Sequence, residues 1–318
     1  MSNPRSLVIL GAGAWGSALA LTATRSQEAS RQQVQVWGRR PPYIEEAAAS
    51  SSLSVFTDLS ALVDALKAAS LGVVAVPTQA LRSFLTDVLF PPHLPLLFTS
   101  KGLELQTGLL VSEMVASLGL PNPIGFLAGP HLASEVRKGQ PTRGTCAAQT
   151  LEWAQTMASA FHGPMFQLTP WADLIGVQVA GALKNIFAVA SGLLVGAGVG
   201  DNGRAAFLTL GFGEMQIFGQ ALGAQPETFM TQAGLGDFML TCYSPLSRNF
   251  QFGFKLARGE HPDPRAPLAE GFFTAQAIQK RAVSLGLKMP ALDKLVHVLA
   301  KPAPPLLEIE TLITETRS

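Results

Sequence analysis

Gly11, Gly13 and Gly16 stand in GxGxxG spacing, directly after the apolar run at residues 7–10 and at the head of a helix-length stretch. Gly11 permits a tight turn, Gly13 lets the backbone come up against a pyrophosphate, and Gly16 allows close packing of helix on strand. The amides and positive dipole end of the helix N-terminus then face the anion. The chemistry this implies is dinucleotide binding, and the setting after the first strand gives the motif its weight. The second apolar run ends VQVWGRR, where Asp or Glu would take the ribose hydroxyls of NAD. Arg39 and Arg40 stand there instead and can fork onto a ribose 2′-phosphate, each charge-assisted bond contributing roughly 1.5–3 kcal/mol. NADP(H) is therefore the favoured cofactor, with NAD(H) as the alternative.

Four further segments set polar groups in apolar or glycine-rich surroundings: SKGLE (100–104), AGPHLASEV (128–136), GALKN (181–185) and GLGDFMLTCYSPLSRN (234–249). Lys184 lies among Ala180, Gly181, Ala182, Leu183, Ile186 and Phe187. A lone ammonium there would be costly, so it needs a partner or a cavity, and Asp237 is the partner chosen. Arg248 offers a planar, bidentate fork, flanked by the neutral donors Ser247 and Asn249; lysine in its place would keep the charge and lose the geometry. Cys242 reads as a buried small hydrophobe, since no histidine is near it in sequence.

The elements that must position these residues fall into two patterns. Up to about residue 170, β-rich runs recur at 7–10, 34–37, 71–76, 94–99, 124–128 and 145–148, separated by helix-length stretches such as 15–26 and 108–118. Continuous apolar runs in βα alternation predict an α/β, Rossmann-type doubly wound sheet buried on both faces. After Pro170 the β-rich runs stop, and long small-residue stretches predict an all-α C-terminal domain. The expected domains are residues 1–170, binding NAD(P), and 171–318, binding substrate. The glycines of VGAGVGDNG (195–203) should interrupt a helix, each costing about 1 kcal/mol against alanine in a helix interior. The low-complexity patch at 47–54 reads as a loop or frayed helix end.

Composition narrows the class. The chain has 318 residues, a net charge of +1 and only 14% charged residues, against roughly 25% in a typical soluble domain. No net basic field draws in nucleic acid or an acidic membrane, so any anion site must be local. So few charges imply that part of the surface is covered, and a homodimer is the expected assembly. Cys146 and Cys242 support neither a disulfide framework nor a zinc site, so no metal is expected and a reducing, cytoplasmic home is. The N-terminal apolar run leads straight into glycines and reads as a strand, not a signal peptide. The uncharged stretch 185–200 spaces Gly192, Gly196 and Gly200 like a membrane dimerisation face, but it falls short of the about 20 apolar residues of a span. A buried helix of a soluble core is the expected reading.

In order and spacing, these segments resemble the bacterial-type NAD(P)-dependent glycerol-3-phosphate dehydrogenases over residues 11–270. The resemblance implies reversible reduction of dihydroxyacetone phosphate to sn-glycerol 3-phosphate, which feeds glycerophospholipid synthesis. It makes Lys184 the proton-transferring residue and puts Lys101 near both nicotinamide and substrate. Gly129 and His131 would line the substrate site, and Asp237 would border the reacting carbon. Ser247, Arg248 and Asn249 would hold the phosphate, with Arg248 also reaching the cofactor. Asn202 of GDN matches an asparagine found in part of the family on the substrate side. Ala14, Trp15, Arg39, Ala133, Leu268 and Glu270 fall at further cofactor positions. Two positions depart from the family: His131 stands where Ser or Thr is usual, and Ala14 where a hydroxyl is common, which leaves backbone contacts to hold the pyrophosphate. A ketopantoate or β-hydroxyacid reductase is the alternative enzyme, but its substrates present a carboxylate where SRN fits a phosphate. A dinucleotide sensor without turnover would have no need of Lys184, Asp237 and Arg248 together.

Overall fold

The structure, a computed structural model, describes residues 5–39, 52–260, 270–301, 304 and 306–314. The chain forms two compact units: Met1–Lys101 with Val111–Val177, and Gly102–Leu110 with Gln178–Ser318.

The first unit alternates strands and helices: β1 (Arg5–Leu10), α1 (Ala14–Thr24), β2 (Gln32–Trp37), β3 (Leu53–Phe56), α2 (Leu59–Ala68), β4 (Leu71–Val74) and α3 (Thr78–Asp87). It continues through β5 (Leu96–Phe98), α4 (Val111–Ser117), β6 (Ile124–Ala128), α5 (Ala133–Arg137), β7 (Thr142–Ala148), α6 (Leu151–Ser159) and β8 (Phe166–Trp171). The strands form one sheet in the order β3-β2-β1-β4-β5-β6-β7-β8, parallel except for the antiparallel β6–β7 pair. Its centre is apolar on both faces, as the continuous runs require: Leu7, Val8, Ile9 and Leu10 are all buried.

Two strands lie outside the sequence pattern, and both are at sheet edges. β3 buries neither face fully, and it takes in Leu53 and Ser54 of the patch read as a loop or frayed helix; residues 47–51 of that patch lie outside the described residues. β8 contains Pro170, which an edge strand tolerates because its amide side need not pair. An edge position removes the demand for a continuous apolar run, so the signal that located the central strands is missing.

The second unit is helical: α7 (Leu174–Gly196, its first residues counted with the sheet unit), α8 (Asp201–Ala221), α9 (Asp237–Tyr243), α10 (Arg248–Ala257), α11 (Glu270–Ser284), α12 (Pro290–Leu299) and α13 (Leu306–Thr314). The glycine-rich segment separates α7 from α8 as the sequence predicts. Among the described residues, α7 is the one helix long and apolar enough to cross a membrane, and 89% of its most apolar window is buried inside the protein.

Two of the three glycines that imitate a membrane motif, Gly192 and Gly196, serve an internal contact, whereas a Cβ on Gly200 would meet nothing within 4 Å among the described residues. A Cβ on Gly192 would fall 2.0 Å from the Phe250 carbonyl oxygen, and one on Gly253 would fall 2.0 Å from that of Val189. α7 and α10 therefore touch backbone to backbone, at a distance only reciprocal glycines permit. We predict that Gly192→Ala destabilises the protein by about 1–3 kcal/mol through overpacking, measured by urea unfolding; an unchanged midpoint would mean that α10 can slide away at no cost.

Elsewhere in the helical unit, buried Glu214 of α8 accepts from the Ala291 (2.6 Å) and Leu292 (2.9 Å) amides at the start of α12. Burial pushes its carboxyl up to about 7, against the pull of those two amides. The folded state thus binds more protons than the unfolded chain between the usual carboxylate range and neutrality, so stability falls as pH rises through that window. Glu214→Gln should flatten this slope, read from urea midpoints at mildly acidic and neutral pH; equal slopes would show that the carboxyl is charged throughout.

Candidate active site

In the first unit, β1 ends at the glycine turn. The Gly11 amide donates to the Trp37 carbonyl of β2, and the Ala75 amide donates to the Leu10 carbonyl, both at 2.8 Å, so three adjacent strand ends are tied together. Gly11 has φ +120°, and a Cβ there would strike the Ala75 carbonyl oxygen at 2.6 Å. A Cβ on Gly16 would meet the Gly11 oxygen at 1.9 Å. Gly13 is different: a Cβ there would meet nothing within 4 Å. Packing within the protein explains two of the glycines, whereas the third leaves open space beside the N-terminus of α1. Gly13 is the N-cap of that helix, and no side chain caps the first-turn amides. Bare amides, a dipole end and an open glycine fit a pyrophosphate. Arg39 is exposed two residues beyond the end of β2. Arg40 and Leu268 lie outside the described residues, and of Glu270 only its place at the head of α11 is described.

The other residues predicted in this unit form two groups. Trp15, in the first turn of α1, stacks on the His131 ring at 5.3 Å, and His131 stacks in turn on Phe166 at 5.1 Å. A Cβ on Gly144 would strike that imidazole at 2.5 Å, and one on Gly129, where φ is +153°, would fall 2.7 Å from the Gly144 Cα and 2.9 Å from the same ring. Ala133 and Trp15 pack against the core beneath them. Lys101 follows β5; its carbonyl accepts from Thr78 Oγ1 (3.1 Å), and its Nζ lies 3.5 Å from the Gly129 carbonyl oxygen.

In the second unit, the predicted pair forms. Lys184 Nζ makes an ion pair with Asp237 Oδ1, with the two side chains 5% and 1% exposed. The ammonium also donates to Thr241 Oγ1 (3.0 Å), and that hydroxyl lies 3.3 Å from Asp237 Oδ1 and donates to it. The adjacent carboxylate opposes the burial that disfavours an ammonium and so favours the lysine's charged form. Asp237 opens α9 directly after a π turn over Gln232–Gly236, an irregularity that aims its carboxylate at α7. Sequence reasoning missed Thr241; its signal was the i, i+4 spacing from Asp237, which puts both on one face of a helix.

Ser247 is the N-cap of α10 and accepts from the Phe250 amide (3.3 Å), leaving its O–H to donate elsewhere. Asn249 Oδ1 accepts from the Gly271 amide (3.0 Å), so its NH₂ is the group it can offer a ligand. Gly271 is also missing from the sequence reading. Its Cβ would lie 2.3 Å from the Asn185 carbonyl oxygen, so the head of α11 is pressed against α7 one residue beyond Lys184. Arg248 is exposed at the first position of α10, and Asn202 is exposed at the start of α8. Among the described residues, no hydrogen bond joins either to the Lys184 cluster. Both cysteines are buried; desolvation pushes the Cys146 thiol up to about 12 and raises that of Cys242 as well, so neither is a thiolate nucleophile.

Family profiles match both halves of the chain: NAD-dependent glycerol-3-phosphate dehydrogenase N-terminus over residues 6–154 and C-terminus over residues 173–310. The chain belongs to the NAD-dependent glycerol-3-phosphate dehydrogenase family. A glycerol-3-phosphate dehydrogenase (NAD(P)+) from Chelativorans sp. (strain BNC1) is 39% identical over 305 residues, 92% of each chain. One from Brucella canis is 38% identical over 298 residues, 90% of each chain. The crystal structure of glycerol-3-phosphate dehydrogenase from Coxiella burnetii superposes with a TM-score of 0.85 at 28% identity, covering 97% of this chain and 98% of that one. A probable 2-dehydropantoate 2-reductase from Bacillus subtilis shares the fold alone, with a TM-score of 0.55 at 15% identity. Family membership carries dependence on a nicotinamide dinucleotide.

Removing one member of a buried pair leaves the other charge uncompensated. Asp237→Asn should therefore cost about 3–5 kcal/mol of stability, measured by urea unfolding at neutral pH. A variant as stable as the parent would show that Lys184 is held by other groups.

Proposed function

We propose that this protein reduces dihydroxyacetone phosphate to sn-glycerol 3-phosphate, reversibly, with NADPH preferred over NADH. The observation that carries this reading is the buried Lys184–Asp237–Thr241 cluster in the helical unit of a chain whose sheet unit has the open glycine turn. When bound, the reduced nicotinamide supplies the hydride that adds to the carbonyl carbon. Lys184 gives its Nζ proton to the oxygen as the C=O bond becomes C–O, and Asp237 and Thr241 keep that ammonium charged and aimed. Arg248 takes the phosphate through its planar fork, with the Ser247 hydroxyl and Asn249 amide as neutral donors. In the sheet unit, the α1 amides hold the pyrophosphate, Arg39 and Arg40 hold the 2′-phosphate, and Lys101 serves the nicotinamide end.

Reduction needs the lysine protonated, the form that the neighbouring Asp237 carboxylate favours. Oxidation needs it neutral, and the Asp237 charge opposes that, so oxidation should speed up toward alkaline pH. A homodimer in the cytoplasm, supplying glycerophospholipid synthesis, completes the reading.

The test is the loss of NADPH absorbance on addition of dihydroxyacetone phosphate. Lys184→Met should lower kcat by about 100- to 10,000-fold and leave NADPH binding intact, and Arg39→Asp should narrow or reverse the preference for NADPH over NADH. Retained turnover in the first variant would remove Lys184 from the chemistry; an unchanged preference in the second would show that the arginines do not read the 2′-phosphate.

A further inference from the structure

The helical unit buries a second cation that the proposed chemistry does not use. Arg204, on α8, is 8% exposed. Its Nε donates to Ser191 Oγ (2.8 Å) and its Nη2 donates to the Cys242 carbonyl (2.6 Å), while Ser191 Oγ donates to that same carbonyl (2.6 Å). The guanidinium carbon lies 4.0 Å from the centroid of the Tyr243 ring. Its acidic neighbour Asp201 is 3.9 Å away and 94% exposed, so solvent screens that pair and it contributes little. The buried charge is held by two bonds to other elements and by an aromatic face.

Those bonds act on α9. A helix of seven residues is too short to hold itself, and its last carbonyls have no partners within the helix. A cation at this end satisfies one of them and meets the negative end of the helix dipole. Cys242 directly follows Thr241, and Asp237 lies at the other end of the same helix. On α7, Ser191 is seven residues beyond Lys184 and so shares its face two turns on. α9 is therefore pinned to α7 at two points: by Lys184 with Asp237 and Thr241, and by Ser191 and Arg204 at the Cys242 carbonyl.

We propose that Arg204 is a positioning residue for proton transfer, setting through the Cys242 carbonyl and Ser191 how far Asp237 and Thr241 lie from Lys184 Nζ. This rests on Lys184 being the proton donor. Stability alone is a poor reason for an arginine here, because a well-packed apolar residue is often as stabilising as a buried charge. Two diverging hydrogen bonds that fix one helix against another are something an apolar side chain cannot provide.

The experiment measures glycerol 3-phosphate oxidation from neutral to alkaline pH with full-length Arg204→Met, Arg204→Lys, Ser191→Ala and Lys184→Met, together with NADPH affinity and thermal midpoints. Arg204→Met should lower kcat by on the order of 10- to 100-fold through misplacement, with NADPH affinity kept. It should also move the alkaline rise to lower pH, because a looser carboxylate holds the ammonium less firmly. Arg204→Lys should recover part of the loss by reaching one of the two acceptors. Ser191→Ala should shift the profile in the same direction by less, and it decides the matter if Arg204→Met does not fold. Variants that lose thermal stability but keep the parent's kcat and pH profile would overturn the positioning role. If Lys184→Met is active, the proton-donor reading itself fails; if it is inactive while the Arg204 and Ser191 profiles stay unmoved, only the positioning role fails.

Discussion

A primary ammonium in the interior of an apolar helix must either lose its proton or find a carboxylate, since desolvating an isolated charge costs more than a folded chain can tolerate. Lys184 resolves this with Asp237 and Thr241, and much of the helical unit is arranged around keeping them there. The π turn before α9 sets where its first carboxylate points. Gly271 brings the head of α11 against the Asn185 carbonyl, beside the lysine, and its amide holds Asn249. Ser191 and Arg204 hold the far end of α9. Asp237 and Thr241 on α9 thus answer the charge that α7 buries, and Ser191 and Arg204 tie the other end of the same short helix.

Small residues serve this arrangement by letting backbones meet. Gly192 and Gly253 let α10 lie directly on α7, and α10 begins with the Ser247–Arg248–Asn249 segment. In the sheet unit, glycine is used in two ways. Gly11 and Gly16 are required by the chain's own packing, whereas a Cβ on Gly13 would meet nothing within 4 Å among the described residues. One motif therefore joins two glycines that folding requires to a third that packing leaves open, and the space a Cβ would occupy separates them. The aromatic stack of Trp15, His131 and Phe166 supports the first turn of α1 from within the same unit.

How much of this was legible in the sequence follows from the range over which each feature is encoded. The central strands, the glycine turn and the break between α7 and α8 are written in contiguous residues, as apolar runs, turn chemistry and glycine content, and all were readable. The edge strands β3 and β8 were not, because an edge strand lacks the two-sided burial that produces a continuous apolar run. Lys184 announced its need for a carboxylate because its neighbours in sequence are apolar, but any of several acids could have answered.

What the sequence by itself determined is therefore the inventory: the central strands in their βα order, the glycine turn after the first strand, and the cations and carboxylate set in apolar surroundings. Only the tertiary structure decided the partnerships: that Thr241 joins Asp237 beside the lysine, that Arg204 reaches the Cys242 carbonyl, that His131 is stacked between two rings, and that Gly192 and Gly196 of α7 meet α10. The reason is physical. Periodicity and turn preference act over a few residues, whereas a buried charge is satisfied by whichever group packing brings within about 3 Å, and that group can come from anywhere in the chain.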